Sequence, residues 1–95
     1  MKILWDKKPE TAEQKLIADY ASDYIPILEG QIELISSNDL LTASFTPRPL
    51  NGHFYTYEVR KETSSDKYLL IVWQGIRTGD ARSLLYGWLE KEGNY

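Results

Sequence analysis

The chain has 95 residues, 42% hydrophobic and 26% charged, with no cysteine, one histidine and a formal net charge of −3. These figures describe one small globular domain, residues 1–95, and exclude a disulfide framework, a thiolate metal site and a collagen-like or disordered composition. No apolar run approaches the ~18–20 residues that span a bilayer, and the charge is too small for a DNA mimic and of the wrong sign for a generic DNA binder. A soluble, cytoplasmic domain without membrane contact is the expectation. A domain this short buries only ~60–65% of its unfolded surface. Its apolar side chains are needed for the core, so no internal cofactor cavity is expected.

In chain order, residues 1–6 offer only Ile3-Leu4-Trp5 as an apolar block, too short for a signal-peptide core. The first helix is predicted over 11–24. Thr11-Ala12-Glu13-Gln14 has the form of a capping box, and Leu16, Ile17, Tyr20, Ala21 and Tyr24 follow at three- and four-residue spacing. Pro26 disfavours helical geometry at Ile25, yet Leu28, Ile32 and Ile35 continue the stripe. Either the helix ends near Tyr24 and 31–35 is a strand, or a kinked helix runs on to about Ser36.

The middle of the chain reads as β. Residues 40–46 alternate Leu41, Ala43 and Phe45 with Thr42, Ser44 and Thr46. Asn51-Gly52 is a turn signal for positive φ. The next strand, 53–62, places His53, Tyr55, Tyr57 and Val59 on one face and Phe54, Thr56, Glu58 and Arg60 on the other. Thr63-Ser64-Ser65-Asp66 is a polar turn, and 67–74 is a third strand in an antiparallel meander. That strand is apolar on both faces, so it belongs at the centre of a sheet covered on both sides. A last helix is predicted over 80–92, where Ala81, Leu84, Leu85, Trp88 and Leu89 form a stripe between an Asp80 cap and Gly93. Gly87 within it suggests a close approach to the sheet. The expected fold is α+β: an N-terminal helix, an antiparallel sheet of three to four strands and a C-terminal helix, with the helices mainly on one sheet face.

Catalytic constellations are sparse. Asp19 and Asp23, at i and i+4, form a carboxylate pair opposite the apolar stripe, the position of a solvated face. Glu58-Val59-Arg60 with Asp39 upstream outlines a metal-dependent nuclease, but Arg replaces the lysine and does not release its proton near neutral pH. His53 has no identifiable nucleophile, and no serine stands in a Gly-x-Ser-x-Gly elbow. Gly75-Ile76-Arg77-Thr78-Gly79 lacks the Lys-Ser/Thr ending of a phosphate loop, although Arg77 and Arg82 beside a helix start would attract an anion.

The order α-β-β-β-α, with Asn51-Gly52-His53-Phe54 in the place of a Gly-Pro-x-His loop, resembles the double-stranded-RNA-binding domain. That family opens its last helix with a lysine cluster, and the matching stretch here is Asp80-Ala81-Arg82-Ser83. The resemblance therefore implies the architecture and not the RNA grip. A single-strand platform would use Tyr55 and Tyr57, or Phe54 and Tyr68, with Arg60, Lys61 and Lys67 on the rim. Same-face aromatics are more often core. The composition points instead to a non-enzymatic binding protein that docks on a protein partner or self-associates as a homodimer. Tyr, Trp and Arg dominate such interfaces. The expected surface is the second sheet face, with Phe54, Thr56, Tyr68, Leu70 and Val72 and Arg60 on its rim.

Overall fold

The computed structural model describes residues 1–62, 67–75 and 82–90. These form strand β1 (Lys2–Trp5), helices α1 (Ala12–Ser22) and α2 (Ile25–Asn38), and strands β2 (Thr42–Phe45), β3 (Tyr55–Lys61), β4 (Tyr68–Gln74) and β5 (Ser83–Glu90). The strands build one antiparallel sheet in the order β1-β5-β4-β3-β2. The fold is α+β, but the described sheet has five strands rather than three or four, and both helices precede β2. The α-β-β-β-α order shared with the double-stranded-RNA-binding domain is therefore not the order of this chain.

The capping box forms as the sequence predicts. Thr11 Oγ1 accepts the Gln14 N–H at 3.0 Å, and Gln14 Oε1 accepts the Thr11 N–H at 3.2 Å. At Pro26 neither simple alternative holds. α1 stops at Ser22, and Pro26 lies in the first turn of α2, where the N–H it lacks has no helical partner to lose. Residues 31–35 are helical, not a strand, and Ile35 joins Leu28 in the core. Asp39, left-handed at φ 54°, closes α2. Between β2 and β3, Asn51 and Gly52 both have positive φ, 51° and 78°. Leu50 and His53 exchange backbone hydrogen bonds of 2.8 and 3.0 Å across them, the geometry of a two-residue hairpin turn. Residues 63–66, where a polar turn is predicted, and residues 76–81 lie outside the described residues.

The largest departure is at the C-terminal end. Residues 83–90 are a strand, not a helix, paired with β4 on one side and β1 on the other. Leu84, Leu85, Trp88 and Leu89 fit helical spacing, but the run is apolar on both alternating faces, as a central strand requires. Gly87 is where β1 closes in. A Cβ added there would lie 2.6 Å from the Leu4 carbonyl oxygen and 2.9 Å from the Trp5 Cα.

Both helices pack on the same face of the sheet. Ile17 and Ala21 of α1 and Leu28 and Ile35 of α2 meet Tyr57, Val59, Leu70, Val72, Leu85 and Leu89 in one buried cluster. No described helix is long and apolar enough to cross a membrane.

Two glycine substitutions test this packing in opposite directions. Gly87→Ala forces β1 away from β5 and lowers stability by about 1–3 kcal/mol, the usual cost of overpacking. Gly30→Ala, inside α2 with nothing within 4 Å of the new methyl, raises it by about 0.5–1 kcal/mol through helix propensity. Urea midpoints of the two variants should move to opposite sides of the wild type.

Candidate functional site

Strand alternation determines what emerges on the face away from the helices. Tyr55, Tyr57 and Val59 point at α1 and α2, so Thr56, Glu58 and Arg60 point the other way. The register sets Thr56 opposite Trp73, Glu58 opposite Ile71 and Arg60 opposite Leu69. It continues through Ile71 to Tyr86, and through Leu69 to Trp88 and on to Leu4. The β1, β5 and β4 half of this face is thus aliphatic and aromatic. The β3 and β2 half is polar, with Thr42, Ser44 and Thr46 beside Thr56, Glu58 and Arg60. No described helix covers either half.

Glu58 divides the two halves. Its side chain is only 7% exposed and accepts from both. Oε1 takes the Trp73 indole N–H at 2.8 Å, while Oε2 takes the Thr42 hydroxyl at 2.9 Å and the Arg60 Nη2 and Nε at 3.0 and 3.2 Å. Burial on its own would push this carboxyl up. The hydrogen bonds from Thr42, Trp73 and Arg60, with the Arg60 charge, outweigh burial and hold its pKa below the ordinary 4.5. A carboxylate committed to an arginine, an indole and a hydroxyl orders the face and is not poised as a base. Tyr86, at the centre of the apolar half, hydrogen-bonds Asp6, and that bond with the Asp6 charge raises its phenol pKa.

The residues expected to share one docking surface are split between the faces. Thr56 and Arg60 lie on the open face. Tyr68, Leu70 and Val72 lie on the helix side, Leu70 and Val72 fully buried. Phe54 is exposed just ahead of β3. The cause is register. β4 is apolar on both faces, and pairing Tyr57 with Val72 and Val59 with Leu70 sends its even-numbered residues under the helices. Leu69, Ile71 and Trp73 occupy the place expected for them. Tyr86 and Trp88 fall within the predicted 80–92 helix, and the signal that points to a strand instead is the alternation of Tyr86 and Trp88 with Leu85 and Leu89.

The other candidates do not converge. Asp19 and Asp23 are exposed, and no group of three metal-ligating side chains occurs among the described residues. Asp39 caps α2, away from any carboxylate partner expected of a nuclease, and His53 sits exposed in the hairpin turn. Tyr55 and Tyr57 are buried under the helices, where no base can stack on them. The 76–81 segment, with Arg77, lies outside the described residues. A cleft of about 290 Å³ opens between Lys7, Lys8 and Gln14 on one side and Leu84–Tyr86 on the other. The capping box beside it already occupies the N–H groups of Thr11 and Gln14.

Glu58→Ala removes the acceptor shared by Thr42, Arg60 and Trp73 and should cost about 2–3 kcal/mol. The pH dependence follows from the sign of the shift. With a folded pKa below the unfolded one, Glu58 contributes in full above the unfolded value, and the contribution is lost as pH falls through the folded value. Urea midpoints measured from neutral to acid pH should fall less steeply in Glu58→Gln than in the wild type.

No protein-family model matches the chain, and comparisons with characterised proteins and with solved structures likewise find no match.

Proposed function

We propose that this chain is a non-enzymatic interaction protein that docks on another protein through the open sheet face. The observation that carries this reading is the side-chain content of that face. Leu4 and Tyr86 remain 43% and 44% exposed, and Leu4, Trp88 and Leu69 form a row across β1, β5 and β4. Exposed apolar patches bordered by polar groups mark interaction surfaces, and Trp, Tyr and Arg supply most hot spots.

Charge on the face favours protein over nucleic acid. Two cations on the face are paired with acids beside them: Arg60 with Glu58 at 3.0 Å, and Lys2 with Glu90 at 3.8 Å. A phosphate backbone needs cations to replace its counterions, whereas an apolar protein surface needs neutral, well-packed area. Arg60 stays in the docking surface, while Thr56 lies on this face but is buried. Leu4, Leu69, Tyr86 and Trp88 take the places of Tyr68, Leu70 and Val72, with the buried Ile71 beneath them.

The test is capture of a protein from extract of the source cells by the wild type, by Tyr86→Asp and by Leu4→Asp, with Leu16→Asp on exposed α1 surface as control. Capture should survive nuclease and raised salt, persist in the control and fail in both face variants. Capture that vanishes with nuclease, or that ignores both face variants, overturns the reading.

A further inference from the structure

β2 is an edge strand of the sheet, and no described strand pairs with its outer side. The Lys61 N–H donates to the Leu41 carbonyl at 2.8 Å, and Ala43 and Phe45 lie opposite Val59 and Tyr57. In an antiparallel ladder Leu41, Ala43 and Phe45 therefore direct their backbone groups to β3, and Thr42 and Ser44 turn theirs outward. Residues 40–46 contain neither a charge nor a proline, the devices that ordinarily block a sheet edge. The opposite edge carries a charge within the strand itself, Lys2 of β1, whereas Asp39 and Pro47-Arg48-Pro49 stand outside the 42–45 pairing segment of β2.

α2 lies over β2 and β3 and runs antiparallel to β2. Tyr24 at its start packs against Phe45, 5.9 Å between ring centroids, and its far end leads through residues 39–41 into Thr42. With that direction, and with β3 on the side to which Ala43 hydrogen-bonds, the right-handed turn of α2 carries Ile27, Gln31 and Leu34 to the flank beyond the edge. Glu29 and Glu33 fall on the inner flank. Ile27 and Leu34 are 42% and 45% exposed, and Leu41, at the start of the edge, is 63% exposed.

We propose that a second copy of this chain occupies this edge, its β2 pairing antiparallel with β2 about a two-fold axis at Ala43. Thr42 then exchanges backbone hydrogen bonds with the partner's Ser44, and the reverse, as an isologous contact requires. Strands lie about 4.8 Å apart, so a helix seated between β2 and β3 has its axis about 5 Å from the two-fold. The two α2 axes fall about 10 Å apart, the distance at which helices pack. Ile27 and Leu34 then meet their counterparts with no acid between them. Charge favours the same direction: antiparallel pairing brings the acidic end of the segment, at Asp39, toward the partner's basic end, at Arg48, and parallel pairing would set like charges together. The result is one continuous sheet that presents both open faces on the same side. It does not depend on what those faces bind.

Light scattering on a size-exclusion column, across a range of protein concentrations, tests the assembly. The wild type should run at twice the chain mass of 11.0 kDa. Ser44→Pro removes only an outward N–H, which an edge strand tolerates, and should halve the mass with the circular dichroism spectrum unchanged. Leu34→Glu, on exposed helix surface, should do the same and guards against a folding defect in the proline variant. Tyr86→Asp should remain dimeric. A wild type that stays monomeric at every concentration overturns the inference. So does a dimer that persists in both edge variants, or one broken by Tyr86→Asp alone.

Discussion

Burial of Tyr57, Val59, Leu70 and Val72 beneath α1 and α2 is the contact on which the rest of the molecule depends. These four central residues, with Ile17, Ala21, Leu28 and Ile35 above them, decide which way every strand presents its side chains. Phe45 stacks on Tyr57 at 5.5 Å and Tyr24 meets both rings, which ties the α1–α2 turn to the β2 end of the sheet. The packing is strong enough to hold the Tyr57 hydroxyl buried without a hydrogen-bond partner among the described residues, and burial raises its pKa accordingly. An orphaned buried hydroxyl is costly, and here the ring that carries it is at the centre of the core.

Once that face is committed to the helices, the opposite face follows by alternation. Its apolar and polar halves meet at Glu58, whose carboxylate draws Thr42, Arg60 and Trp73 toward one point. The result is a division of labour across the sheet. The β4–β5–β1 half offers apolar area in which Lys2 is paired with Glu90 and Asp6 with the Tyr86 hydroxyl, and the β3–β2 half offers hydroxyls. Such pairing matters because leaving a charge buried and alone costs more than most contacts return.

The two surfaces singled out above point in different directions. The open face looks away from the helices, and the β2 edge looks sideways along the plane of the sheet. The α2–β2 unit supplies both halves of the edge contact, backbone from the strand and apolar cover from the helix. β1 ends the sheet on the other side with charge around it. A sheet with one uncharged and one charged edge closes on pairing and does not grow into a fibre.

Signals that depend on near neighbours in the sequence agree with the structure. The capping box at Thr11–Gln14, the positive-φ pair Asn51-Gly52 and the alternation of residues 55–61 each depend on neighbours a few positions away, so the sequence itself carries them. The α+β class and the antiparallel order of β2, β3 and β4 follow from those signals and from short connections. Three other matters were decided only by tertiary contacts. Residues 83–90 satisfy helical and strand spacing alike, and only pairing on both sides with β1 and β4, at a glycine that lets β1 approach, makes them a strand. Pro26 is compatible with a stop, a kink or a helix start, and the burial of Leu28 and Ile35 selects the start. β4 is apolar on both faces, so its own pattern says nothing about which face is covered. That choice, and with it the residues left open to a partner, belongs to the register with β3 and to the side on which the helices lie.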